Sequence, residues 1–168
     1  AGVREGFDFF VAGHLGPSIY PVLRTTGLPN TFDKETPWAF SPMAGVAATI
    51  GAWEVHGETI MQQTFANNDQ DFIKYVVGIS YRETELANAI GFEEFNPVIE
   101  FSQDLVTRPQ ESRTYIADSS SARPHRESIL YRIDLRQSDE WSYRFGGSHN
   151  FRDHDSAYAG EIEYKPND

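Results

Sequence analysis

The chain reads as an all-β protein: an antiparallel up-and-down β-barrel, or a segment of one, with about seven or eight strands and long polar loops. Three observations predict this. Apolar and polar residues alternate with a period of two over several stretches, the spacing of a strand with one apolar face. No stretch of convincing length repeats every 3.6 residues; residues 84–90 support at most one or two helical turns. Aromatic residues make up 14% of the chain beside 13 glycines, while hydrophobic residues total only 39%. That mixture suits pleated, half-buried strands better than helices.

The first candidate strand is FDFFVAGHLG, residues 7–16. Residues 17–42 hold five of the nine prolines and are expected to be a connection, since proline cannot donate to a ladder. Residues 45–63 read as one long strand or two short ones, with Gly51 or Gly57 marking a bulge. In residues 72–82, Ile73, Tyr75, Val77, Ile79 and Tyr81 alternate with Lys74, Val76, Gly78, Ser80 and Arg82. Residues 83–96 form a second connection. Residues 96–106 are a weaker strand, with Ile99 and Phe101 opposite Glu100 and Ser102. A third connection spans 107–127 and includes the polar tract DSSSARPHRE; loops this long are usually functional or mobile.

The C-terminal third is the most regular. Ile129, Tyr131, Ile133 and Leu135 face away from Leu130, Arg132, Asp134 and Arg136. After the turn at Ser138, Asp139 and Glu140, Trp141, Tyr143 and Phe145 alternate with Ser142, Arg144 and Gly146. Turn residues 152–155 then lead to Tyr158, Gly160, Ile162 and Tyr164 set against Ala159, Glu161, Glu163 and Lys165.

Composition narrows the function. Lys and Arg number 14 against 25 Asp and Glu, a formal net charge of -11, and no basic run is present to meet a nucleic-acid backbone. No apolar stretch approaches the roughly 20 residues of a spanning helix. The absence of cysteine removes disulfides, thiolate zinc sites and thiol nucleophiles. The first residues, AGVREGFDFF, do not show a basic segment followed by an apolar core, so no signal peptide is expected there.

Alternation alone leaves open which face is inside. The polar face carries both signs of charge and small residues among them: Lys74, Arg82, Arg132, Asp134, Arg136, Arg144, Glu161 and Glu163, with Gly78, Ser80, Gly146 and Ala159. Such a face suits a crowded, watery lumen, and these eight charged residues are the expected pore lining. The apolar face is rich in Tyr and Trp, several near strand ends, where amphipathic rings sit well at a bilayer interface.

The stretch YRIDLRQSDEWSYRFGGSHNFRDHDSAYAGEIEY resembles the paired strands of Gram-negative outer-membrane β-barrels, broadly the porin-like families. The resemblance covers about residues 70–165 and lies in aromatic strand ends, glycine-spaced strands and acidic turns. It implies a single barrel domain or barrel segment over residues 1–168, in the outer membrane of a Gram-negative bacterium. The implied role is a channel or envelope structural component, not an enzyme. Its partners would be the lipid bilayer, small solutes and other envelope proteins, with no cofactor, metal or nucleic acid. Arg132, Arg136, Arg144 and Lys74 would attract anions, with Asp134, Glu161 and Glu163 opposing them. Such barrels commonly finish on an aromatic residue, whereas here Tyr164 is followed by Lys165, Pro166, Asn167 and Asp168, so a segment of a larger barrel is expected. The alternative is a soluble, periplasmic or secreted lipocalin-like cup holding a small apolar ligand, with Tyr131, Ile133, Tyr143, Phe145 and Ile162 lining the cavity. Gly51-Ala52-Trp53 matches the short Gly-x-Trp pattern of that family.

Other chemistry is thinly represented. Glu54, His56 and Glu58 share a strand face, but their spacing of about 6–7 Å asks for ligands from neighbouring strands before an ion is held. His149, Asp153, His154 and Asp155 bracket a turn and are explained by turn hydrogen bonds. Ser148 and His149 are adjacent and so point to opposite faces, which prevents a nucleophile–base bond between them. Gly146 and Gly147 sit inside a strand and open no helix, so they cradle no phosphate.

Overall fold

The computed structural model describes residues 6–65, 68–110, 115–117 and 123–166. In chain order the elements are β1 (Gly6–Pro17), β2 (Val22–Thr25), β3 (Phe32–Glu35), β4 (Trp38–Ile50), β5 (Trp53–Thr64), β6 (Asp71–Tyr81), α1 (Glu85–Ala89), β7 (Glu94–Arg108), β8 (Tyr115–Ala117), β9 (Glu127–Arg136), β10 (Trp141–Asn150) and β11 (Asp155–Tyr164). Eight of the strands form one antiparallel sheet in the order β1-β4-β5-β6-β7-β9-β10-β11. This is the expected up-and-down topology, with each main strand beside its successor. The sheet is not closed by hydrogen bonds, since β1 and β11 are its two edges.

The strand boundaries follow local chemistry. Residues 45–63 form a hairpin because Gly51, at φ +62°, takes the first central position of a two-residue turn, and Ile50 pairs with Trp53. That is the glycine requirement of a tight hairpin rather than of a bulge. At the β10–β11 turn, Asn150 Oδ1 accepts from the backbone N–H groups of Arg152 (3.0 Å) and Asp153 (3.2 Å), and His154 adopts φ +54°. Ser138 Oγ caps the β9–β10 turn by accepting from the N–H groups of Glu140 and Trp141, both at 3.2 Å.

Two of the expected connections hold more structure than their prolines and polar tracts suggest. The 17–42 stretch contains β2, β3 and the start of β4, and the 107–127 stretch contains β8. Together β3, β2 and β8 form a second, three-stranded sheet at one mouth of the main sheet. Short strands with no long apolar alternation carry too weak a periodic signal to stand out in the sequence.

The two ends of the main sheet therefore differ. One mouth carries the tight turns at 51–52 and 137–140, the short helix α1, and the outer ends Gly6 and Tyr164 of the edge strands. The other carries the long excursions with the small sheet. Near that second mouth the buried side chains are tied by polar bonds. Ser18 Oγ donates to Gln62 (3.0 Å), and Gln62 donates to Asp69 (3.2 Å). Asp71 accepts from Thr64 N–H (2.7 Å), Thr64 Oγ1 (3.0 Å) and Arg108 (2.9 Å). Burial runs against the usual rule for soluble domains. Among the described residues the buried hydrophobic ones are Val22, Ala39, Phe72, Ala87 and Val98, whereas eleven polar or charged residues are buried.

Candidate functional site

The register of the sheet assigns every side chain to one of two faces, because successive residues alternate. One row across all eight of its strands reads Phe7, Ala48, Val55, Ile79, Ile99, Tyr131, Gly147 and, at the far edge, Tyr158. The next rows on this face add Phe9, Val46, Val77, Phe101, Ile133 and Phe145. The face is apolar and open to the surroundings: Phe9 is 75% exposed, Val55 50%, Phe145 50% and Tyr158 77%. Rings mark both of its ends. At the tight-turn mouth Trp53 packs on Tyr81 (centroids 4.4 Å apart) and Trp141 on Tyr164 (4.6 Å). At the other mouth Trp38, Phe40, Phe65 and Phe151 are exposed.

The opposite face is polar. The same register places all eight expected lining residues, Lys74, Arg82, Arg132, Asp134, Arg136, Arg144, Glu161 and Glu163, on it or at its rim. Four of them form one chain across β9, β10 and β11. Arg132 Nε lies 2.9 Å from Asp134, Arg144 Nε 2.9 Å from the other Asp134 oxygen, and Arg144 Nη1 2.9 Å from Glu161. Arg136 and Arg82 both reach Glu94, at 3.4 and 3.0 Å. Glu163 accepts from Ser142 (3.2 Å) and pairs with Lys165 (3.1 Å). Lys74 stands apart from this ladder, towards the looped mouth, and donates to the carbonyl of Pro124.

Glycines make room on this face. A Cβ on Gly78 would lie 2.5 Å from His56 Nε2 and 2.9 Å from Glu100 Cγ. His56 uses that gap to reach across β6 and meet Glu100 Oε1 at 2.9 Å, with Glu54 Oε1 4.0 Å from its other ring nitrogen. Gly78→Leu is therefore expected to break the His56–Glu100 bridge and destabilise the sheet by about 1–3 kcal/mol through overpacking. Urea titration of the protein reads this, and unchanged stability would show that the gap is dispensable.

A second polar centre was not legible in advance. Arg123 enters from the 107–127 excursion and its side chain is fully buried against Asp104, which is also fully buried, at 2.6 Å. Its guanidinium carbon sits 4.0 Å above the Phe72 ring, and Nη2 donates to Gln70 at 2.9 Å. Arg126 approaches the same Asp104 oxygen at 3.5 Å. The backbone there is strapped to the sheet as well: Ser102 Oγ donates to the carbonyl of His125 (2.8 Å), and Asp104 N–H to that of Arg126 (2.7 Å). Arg123 lies in a tract whose composition signals only a loop, and its partner Asp104 is read merely as the polar side of a weak strand.

Several open spaces lie along the polar face. One, of about 410 Å³, is bounded by Val98, Leu130, Arg132, Arg144, Gly146 and Ala159. Another, of about 960 Å³, opens at the tight-turn mouth between Glu54, His56, Arg82, Glu83, Glu100 and Arg132. Glu83 at its rim closes the turn into α1. Its carboxylate accepts from Tyr81 Oη (2.5 Å), Glu85 N–H (2.7 Å) and Thr84 N–H (2.9 Å). The Tyr81 hydroxyl first, and the Glu85 N–H next, hold the carboxyl below its ordinary value. A lowered folded-state pKa stabilises the turn above the ordinary carboxylate range and ceases to do so as pH falls through the folded value. Protection of the Glu85 amide, measured relative to its intrinsic exchange rate, is expected to fall as the Glu83 carboxylate is protonated on acidification, and Glu83→Gln to remove that loss.

Other expected sites are placed as follows. Trp53 is on the apolar outer face, packed against Tyr81 at a tilt of 43°, and the Gly51–Trp53 tripeptide is a hairpin turn rather than the closed end of a cup. His149 hydrogen-bonds through Nδ1 to Ser156 Oγ on the adjacent strand (2.9 Å), with its ring edge-on to Phe151, and not to its neighbour Ser148. Among the described residues no group of three or more His, Asp or Glu side chains is disposed to hold a metal ion. No helix among them is long and apolar enough to cross a membrane, which does not bear on crossing by strands.

The chain matches no known family model, no curated protein and no solved structure.

Proposed function

We propose that this chain forms wall of an outer-membrane β-barrel in a Gram-negative bacterium, a porin-like channel or envelope component whose polar face borders water. One observation carries the reading: the polarity of the sheet is inverted. Its exposed face is a continuous apolar surface bordered by rings at both ends, and its sheltered face holds buried Asp104, Arg123, Ser102 and Ser128. A soluble cup needs the reverse, with Tyr131, Ile133, Tyr143, Phe145 and Ile162 turned inward. Here they occupy the outer face, and Ile162 is 64% exposed. The dimensions agree with a bilayer. Strands of 10–13 residues, at about 3.3 Å per residue and tilted by about 40°, span about 25–33 Å.

The charges on the water side refine the expected selectivity. The guanidinium groups that would draw anions are engaged: Arg132, Arg136, Arg144 and Arg82 each meet a carboxylate. Towards the β1 edge, Asp8, Glu54 and Glu58 share the same polar face with His56. A pore bordered by this wall prefers cations.

Electrophoresis in SDS with and without boiling, on protein extracted from cells with detergent, tests the reading. A closed membrane barrel resists SDS until heated, because its strand hydrogen bonds have no edge from which to fray. A heat-dependent mobility shift, followed by conductance in a planar bilayer with a cation-selective reversal potential, is expected. Extraction without detergent and an unshifted band would overturn it.

A further inference from the structure

We propose that the polar face carries a binding site for organic cations, an ammonium group joined to an apolar body, in the space of about 290 Å³ between Asp8, Phe10, Gly45, His56 and Glu58. The inference deepens the cation preference above and rests on the reading of this face as the water side of the wall.

Two adjacent rows of the sheet build the site. One sets Asp8 beside Ala47 and His56, and the next sets Phe10 beside Gly45 and Glu58. Phe10 is out of place on a polar face. Its ring is 43% exposed there, whereas Phe7 and Phe9 of the same strand point to the outer face. Gly45 explains where the ring lies. A Cβ on Gly45 would fall 2.3 Å from Phe10 Cε1 and 2.8 Å from Cζ, so the ring is laid across β4 at the position whose partner on β5 is Glu58. The next row along the same face continues apolar, with Ala12, Met43 and Ile60 side by side.

Charge selects the ligand. β1, β4 and β5 contain no Lys or Arg, while Asp8, Glu54 and Glu58 all fall on their polar face. Elsewhere on this face the carboxylates are engaged: Asp134 and Glu161 by Arg144, Glu94 by Arg82, and Glu100 by His56. Among the described residues Asp8 and Glu58 have neither an ion pair nor a side-chain hydrogen bond. Two uncompensated carboxylates beside an exposed ring attract a cation, by charge and through the negative face of the ring. An inorganic ion would use the carboxylates alone. A cation with an apolar body also covers Phe10, Met43 and Ile60, and an anion of the same shape is repelled.

The two methionines of the chain report the site. Met43 lies in the apolar row beside it, and Met61, paired with Ile73, lies on the outer face. With both methyl groups isotopically labelled, the protein in nonionic detergent is titrated by NMR with benzyltrimethylammonium, and in parallel with tetramethylammonium and benzenesulfonate. The expected result is a saturable shift of the Met43 methyl signal by benzyltrimethylammonium with Met61 unmoved, weaker binding of tetramethylammonium, and no response to benzenesulfonate. Asp8→Asn, Glu58→Gln and Phe10→Leu change exposed side chains, and each is expected to raise the dissociation constant about two- to fivefold. No saturable shift at Met43, equal shifts at both methionines, an equal response to benzenesulfonate or tetramethylammonium, or unchanged affinity in all three variants would overturn the site. The readout works with or without detergent, so the membrane reading fails separately, by extraction of the protein without it.

Discussion

Ile133→Arg is expected to cost about 2–4 kcal/mol of folding free energy in lipid vesicles, and to leave most of the protein uninserted. Ile133 lies in the middle of β9 on the outer face, between Pro97 of β7 and Phe145 of β10, and is 38% exposed. In a bilayer that position faces hydrocarbon, where a guanidinium group has neither water nor a carboxylate. The neighbouring substitution is the control. Arg132 points to the other face, where its pairing with Asp134 is half exposed and worth about 0–1 kcal/mol. Arg132→Leu is expected to insert normally and to alter conductance rather than stability. Urea titrations of both variants in vesicles separate the faces, and equal stabilities for the two would show that neither face meets lipid.

The second large effect lies at the looped mouth. Asp104→Ala is expected to destabilise the protein by about 3–5 kcal/mol, because Arg123 then remains buried without its carboxylate. The cost comes from the loss of the buried carboxylate that Arg123 Nε meets. Asp104→Ala combined with Arg123→Met is therefore expected to regain most of the loss, since Phe72 offers the methionine an apolar surface in place of the cation. The single variant should also release residues 123–126 from the sheet and raise conductance. A single variant as stable as the parent would show that the other partners of Arg123 suffice or that it is not buried in the protein.

How much of this was legible beforehand follows from the physics of each element. The strands β6, β9, β10 and β11 announce themselves because one face is apolar and the other polar over ten or more residues, and their limits fall within one or two positions of those expected. The hairpin of β4 and β5 is ambiguous in sequence because its first strand, WAFSPMAGVAATI, is small or apolar on both faces, so only Gly51 marks where it turns. The three short strands β2, β3 and β8 are invisible to periodicity. At the polar face, the charged residues were assigned correctly to one surface by alternation alone, since pleating fixes the side of every residue once the strand is known. Their partners were not. Glu94 lies just before the expected start of its strand, and Arg123 reaches Asp104 from 19 positions away along the chain. Cross-strand and loop-to-wall pairs depend on register, which alternation does not specify.

Site-directed spin labelling along β10 tests the inverted sheet most directly, and the absence of native cysteine makes it practicable. Labels placed singly from Ser142 to Ser148 in vesicle-reconstituted protein are probed for collision with oxygen, which concentrates in lipid, and with a water-soluble nickel chelate. The expected pattern alternates: Tyr143, Phe145 and Gly147 favour oxygen, while Ser142, Arg144, Gly146 and Ser148 favour the chelate. Chelate accessibility at Tyr143, Phe145 and Gly147 equal to that of their neighbours would contradict a lipid-facing outer surface.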